Sequence, residues 1–199
     1  MSNRFVRTEE EKKLFIDENV LEMLKFRGYE VNSKKDKKDI SRVYLLNTEN
    51  KYNMPKKLLV YKFEEGTESS NIRKLIDLMT YEYKVNNAIF ISGTKLTSRG
   101  RKTLSDLIDS SDADNKLSIT GFLINEFVVS PRVVNFDYQL LTKADKVKLL
   151  SEGEANPLLY PVVFKADPQS KYYGAKSRDM FRIVHRFNTG NKISYACVK

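Results

Sequence analysis

Tyr160-Pro161-Val162-Val163-Phe164-Lys165-Ala166-Asp167-Pro168-Gln169-Ser170-Lys171-Tyr172-Tyr173-Gly174 opens the stretch that decides the fold, and Ala175-Lys176-Ser177-Arg178-Asp179-Met180-Phe181-Arg182-Ile183-Val184-His185-Arg186 continues it. Its chemistry predicts a strand, one short helix and a hairpin. Asp167 is a good N-cap, Pro168 suits the first helical turn, and Gly174 supplies a left-handed stop. From Met180 onward the residues alternate, with Phe181, Ile183 and His185 on one face and Arg182, Val184 and Arg186 on the other. Asn188-Thr189-Gly190-Asn191 is turn chemistry, and residues 192–198 form the expected returning strand.

Working outward, Leu141-Thr142-Lys143-Ala144-Asp145-Lys146-Val147-Lys148-Leu149-Leu150 predicts a short capped helix. This block and the order Asp167-Pro168, Tyr173-Gly174 and Lys176, followed by a hairpin and a strand closing at the terminus, resemble a known family. It is the C-terminal domain of a small RNA polymerase subunit found in archaea and, as the fifth common subunit, in eukaryotes. The resemblance covers residues 130–199. It implies a small α+β assembly domain that docks on the largest polymerase subunit, with Asp167, Pro168, Tyr172, Tyr173, Gly174, Lys176 and Arg182 as assembly residues. At Asn135-Phe136-Asp137-Tyr138 the family shows a Val-Pro-Lys-His run that helps docking, so this chain departs from the pattern there.

The first 130 residues read as α/β. Thr8-Glu9-Glu10-Glu11 is a capping-box pattern opening a helix, with Ile16, Val20, Met23 and Leu24 as its apolar stripe and Gly28 as its stop. Residues 58–63 predict a strand. Ser70 then caps a helix carrying Ile72, Leu75, Ile76 and Met79. Residues 87–92 form a short apolar strand. A third helix runs from Thr97 or Ser98 to about Ile108, burying Leu104, Leu107 and Ile108. A Ser- and Asp-rich loop leads to a strand expected over 118–129. This alternation of helix and strand predicts a small mixed sheet. Pro is disfavoured inside a paired strand, so Ser130-Pro131 marks the expected boundary between domains 1–130 and 131–199.

Asn19-Val20-Leu21-Glu22-Met23-Leu24-Lys25-Phe26-Arg27-Gly28-Tyr29 resembles the first helix and Arg-Gly-Tyr stop of the eukaryotic member of that family. The resemblance implies an N-terminal jaw domain of nuclease-like fold, which the archaeal member lacks. It further implies that the jaw's loop at Lys95, Thr97, Ser98, Arg99, Arg101 and Lys102 faces downstream double-stranded DNA. Four cations at a loop entering a helix suit phosphate on their own terms. The family has proline after the threonine; here it is Ser98. Such departures, with a lysine-rich chain lacking Trp, resemble the homologues of large double-stranded DNA viruses of eukaryotes. A virion or cytoplasmic viral factory would then be its location, or the nucleus if it is cellular.

Bulk properties bound these expectations. At 199 residues, 41% hydrophobic and 11% aromatic, the chain has room for a core in each domain. It has no apolar run of bilayer-spanning length and no signal-peptide core near Met1, so no membrane partner is expected. A single cysteine, Cys197, excludes an internal disulfide and a multi-thiolate zinc site, and a buried thiol in a cytosolic or nuclear protein is expected. The net charge of +9 is uneven, with 12 Lys and Arg against 6 Asp and Glu over residues 131–199. Such a balance steers toward nucleic acid or an acidic protein surface, and it equally suits an ordinary lysine-rich exterior.

Catalytic chemistry is sparse. His185 is the only histidine, which excludes a two-histidine metal motif and leaves any triad dependent on a strand residue flanked by cations. The eight glycines form no phosphate loop, and the loop Asp109-Ser110-Ser111-Asp112-Ala113-Asp114 lacks the glycine and glutamate of an EF-hand. No cofactor or metal is expected. Lys34-Lys35-Asp36-Lys37-Lys38 reads as a solvated loop before it reads as a nucleic-acid patch. The alternative to a non-catalytic polymerase subunit is a free-standing DNA-binding protein or metal-dependent nuclease of similar α/β fold. Glu82-Tyr83-Lys84 or Glu49-Asn50-Lys51 would then supply the Glu-x-Lys spacing.

Overall fold

The computed structural model describes residues 9–31, 40–46, 54–63, 69–111, 116–127, 136–152, 159–187 and 189–199. The chain divides into two compact units, Met1–Thr48 with Pro55–Val128, and Glu49–Met54 with Val129–Lys199.

The first unit is built on a four-stranded mixed sheet. Its strands are β1 (Val43–Leu45), β2 (Lys57–Lys62), β3 (Asn87–Ser92) and β4 (Ser118–Leu123), in that spatial order. β1 pairs antiparallel with β2, whereas β2, β3 and β4 run parallel. Parallel neighbours need crossovers, and α2 (Ser69–Asp77) and α3 (Ser98–Asp109) supply them. Both helices share one face, where Leu59, Phe63, Ala88 and Phe90 of the sheet side meet Ile72, Leu75 and Met79, with Leu104 packed against them. The opposite face takes α1 (Glu9–Phe26): Lys62 pairs with Asp17, and Asn19 donates its side-chain N–H to the Phe127 carbonyl at 2.6 Å. β3, covered on both sides, is buried from Ala88 to Ser92.

Sequence chemistry explains most of these limits. The α1 stripe Ile16, Val20, Met23 and Leu24 is buried, and Gly28 leaves the helix at φ 89°. Tyr29 follows, donating its hydroxyl to the Pro55 carbonyl at 2.9 Å, and burial pushes its phenol well up from the ordinary range. α3 starts at Ser98, one of the two expected starts, with Thr97 as its N-cap; Leu104, Leu107 and Ile108 are half-buried, not fully enclosed. Ser70 does not cap: α2 starts one residue earlier, and its end widens into a π-helical turn, Leu78–Glu82.

The strand expected over 118–129 is shorter. β4 stops at Leu123, and a 3₁₀ turn, Ile124–Phe127, follows. Glu126 causes the stop by accepting the Leu123 N–H at 2.8 Å, and Phe127 folds inward onto Phe122, ring centroids 5.0 Å apart. The capping Thr8, the lysine loop 34–38 and the boundary residues Ser130 and Pro131 lie outside the described residues.

The second unit carries β5 (Phe136–Leu140), α4 (Lys143–Glu152), β6 (Val162–Val163), α5 (Pro168–Tyr173), β7 (Met180–Phe187) and β8 (Gly190–Val198). Its sheet order is β5-β7-β8-β6, antiparallel except for the short β6 beside β8. This is the expected α+β arrangement with its closing hairpin, Phe187 pairing with Gly190. β5 adds a strand to the expected set, and Phe136, Tyr138 and Leu140 alternate with Asp137 and Gln139 as a strand requires. α4 has a capping box, because the Asp145 N–H donates to Thr142 Oγ1 at 3.2 Å and the Thr142 N–H to Asp145 Oδ2 at 3.4 Å.

Candidate nucleic-acid and assembly surfaces

The α3 start is a rigid platform for exposed cations. Ser92 Oγ donates to the Thr94 carbonyl at 2.9 Å, and Leu96 packs into the core, so the entering loop is pinned at two points. Thr97 Oγ1 accepts from the Gly100 N–H at 3.0 Å, and the Arg101 N–H donates to the Thr97 carbonyl at 2.9 Å. Helix geometry gives the Ser98 and Arg99 amides no intrahelical acceptor, so these dipoles point outward. Lys95, Thr97, Ser98, Arg99, Arg101 and Lys102 are all exposed. The structure thus brings the six residues onto one turn of helix and its entry loop. Arg101 leans back on Ser98 Oγ at 3.4 Å.

Of the residues expected to serve assembly, Asp167, Pro168, Tyr172, Tyr173, Gly174 and Lys176 lie on or beside α5 and Arg182 stands apart on β7, and they differ in exposure. Tyr172 and Tyr173 are 1% and 3% exposed and form an aromatic chain, Tyr172 to Tyr173 at 5.5 Å and Tyr173 to Phe181 at 5.6 Å. They shape the surface from within. Pro168 and Lys176 are exposed, and Gly174 sits at φ 65°, ψ 28°, as a left-handed stop demands. Asp167 has the backbone of an N-cap, but its carboxylate does not cap the helix. It instead accepts the Phe164 N–H at 2.9 Å, which ties down the turn before the helix. Tyr138 is pushed up from its ordinary range by burial and then by the Asp167 charge. Arg182 crosses from β7 to β5 and donates to Gln139 Oε1 at 2.9 Å.

The remaining chemical candidates fall apart in space. His185 Nε2 lies 2.7 Å from Ser194 Oγ, with Phe136 edge-on at 4.9 Å and Phe187 stacked at 6.3 Å. This is an aromatic packing site, not a carboxylate-oriented base. Glu82 is exposed at the end of the π-helical turn and lies on no strand, while Glu49 is outside the described residues. Among the described residues, no three His, Cys, Asp or Glu side chains are placed to hold a metal ion, and no helix is long and apolar enough to cross a membrane. Cys197 is half-buried, more open than expected.

The family model for the RNA polymerase Rpb5 C-terminal domain matches residues 127–198. This domain belongs to the Rpb5 family. The match spans β5 through β8, the elements holding the capped α4, the Gly174 stop and the closing hairpin. An Rpb5 C-terminal domain implies an RNA polymerase subunit, and with it other polymerase subunits as partners. A search of curated proteins gives no match.

Proposed function

We propose that this chain is a non-catalytic subunit of a multisubunit DNA-directed RNA polymerase. Its C-terminal domain docks on the largest subunit, and its N-terminal domain is part of the lower jaw beside downstream DNA. The observation that carries this is the Rpb5 C-terminal domain over residues 127–198. Support for the jaw role comes from the capped, cation-bearing start of α3, which offers phosphates both charge and outward amides. Phosphate contacts of this kind position a duplex without reading its sequence. In this role the chain supplies no residue to phosphoryl transfer. The proposal extends to a virus-encoded origin, supported by the changed docking run at Asn135–Tyr138 and the lysine-rich composition.

Affinity purification of the tagged chain from cells that express it tests the proposal. Two very large polymerase subunits should accompany it. Recovery of the chain alone, together with Mg²⁺-dependent cutting of duplex DNA, would establish the nuclease alternative instead.

A further inference from the structure

Among the described residues two other than glycine sit at positive φ, Lys84 at 50° and Arg178 at 72°. Glycine takes that region freely and an L-residue only at a steric cost, and Gly28, Gly174 and Gly190 meet the demand elsewhere in the chain. Arg178 is held there from several sides. Its N–H donates to the Val198 carbonyl at 2.7 Å, its carbonyl accepts from Lys146 Nζ at 2.5 Å, and Asp179 Oδ2 accepts the Lys176 N–H at 2.7 Å. These bonds fix the turn through its backbone and would hold a glycine at position 178 equally well, yet the residue is arginine.

The side chain offsets none of that cost within the chain. Arg178 is exposed, and its guanidinium has no hydrogen-bond or ion-pair partner among the described residues. A strained residue held by a well-determined backbone points to function. Two further cations stand beside it. Lys146 is brought in by its bond to the Arg178 carbonyl, and Lys143 lies one turn earlier on the same face of α4. The Leu141 N–H donates to the Met180 carbonyl at 2.9 Å, which sets the start of α4 beside this turn. The neighbouring carboxylates face inward to other donors: Asp145 accepts from the Thr142 hydroxyl at 2.6 Å, and Asp179 from the Lys176 backbone.

We infer that Arg178, with Lys143 and Lys146, is a contact for the phosphodiester backbone of nucleic acid, carried by the second unit. The planar guanidinium presents paired N–H donors that match two phosphate oxygens, and the lysines add point charges. Lys176, Ser177 and Arg178 are all exposed, and this turn has at its tip no apolar side chain of the kind that anchors a protein interface. The excess of 12 cations over 6 anions across residues 131–199 draws in the same polyanion. Such a contact positions a strand without reading its sequence.

Arg178→Gly separates charge from fold, because it removes the guanidinium while relieving the backbone. The urea midpoint of the full chain should rise. Fluorescence anisotropy of a labelled DNA duplex over a salt series should show the slope of log affinity lowered by about one unit, and Arg178→Lys should keep most of it. A single-stranded RNA of equal length is titrated in parallel, and a loss of about one unit on either probe supports the contact and names its source. The loss should add to that from replacing Lys95, Arg99, Arg101 and Lys102 by Ala, since those residues belong to the other unit. An unchanged slope in the four-Ala chain would sink the jaw contact and leave this one standing. An Arg178→Gly chain with the wild-type slope on both probes overturns the inference, and so does a wild-type chain that binds neither. If that variant instead keeps its slope and loses co-purifying protein subunits, the contact is to protein and the inference is equally overturned. A lower urea midpoint for Arg178→Gly would overturn the strain argument and the inference with it.

Discussion

Gly174 gives the sharpest test of how the second unit is held. It sits at φ 65°, ψ 28°, and the chain passes through it from α5 into the turn that feeds β7. The Gly174 N–H donates to the Lys171 carbonyl at 3.1 Å and the Ala175 N–H to the Ser170 carbonyl at 2.9 Å, so the left-handed residue satisfies the helix end. A side chain there meets its own carbonyl, a cost of about 1–2 kcal/mol for an L-residue. Losing a glycine also stiffens the unfolded chain, but by only about 0.4–1 kcal/mol where the conformation is compatible, which this one is not. Gly174→Ala should therefore destabilise the unit, Gly174→Val more because of its β-branch, and Gly174→Asn least because Asn tolerates the left-handed region. A loss of about 1–2 kcal/mol is a factor of about 5–30 in the opening equilibrium. Hydrogen exchange of the full chain, read on peptides covering α5 and β7, should speed by that factor while peptides from α1 stay unchanged. Exchange of the Ala variant at the wild-type rate, or an Asn variant as labile as Val, would refute the conformational argument.

Other consequences are as specific. Thr97→Ala removes the acceptor of the Gly100 N–H and should cost about 1 kcal/mol, visible as a lower urea midpoint, whereas Thr97→Ser should retain it. Gly121→Ala would place a Cβ 2.4 Å from the Phe90 ring, and overpacking of this kind should cost about 1–3 kcal/mol. A Gly121→Ala variant melting with the wild type would mean that the Phe90 ring moves freely. Replacing Lys95, Arg99, Arg101 and Lys102 together by Ala in the assembled polymerase should lower the salt slope of DNA retention by about one unit per lost phosphate contact. Identical dissociation at every salt concentration would make the four a solvated surface. Purified chain incubated with Mg²⁺ should leave duplex DNA uncut, and cutting that Glu82→Ala abolishes would establish an enzyme.

Much of the fold was legible where local chemistry and long-range packing agree. The 87–92 strand, the start of α3 at Ser98 and the Gly174 stop each follow from side chains acting within a few residues, and the structure has all three. The misses share a cause. β1 is three residues long, and its pairing with β2 compensates for a pattern too brief to read. β4 ends early because Glu126 captures a backbone N–H, a competition that alternation of apolar residues does not register. Asp167 is the same case at the helix start, its carboxylate turned to Phe164 instead of into the helix. At the sites, sequence could locate cations but not depth. Lys95 to Lys102 are exposed in fact as in pattern at every cationic position, whereas Tyr172 and Tyr173 turn inward because α5 has one apolar side and the sheet lies beneath it.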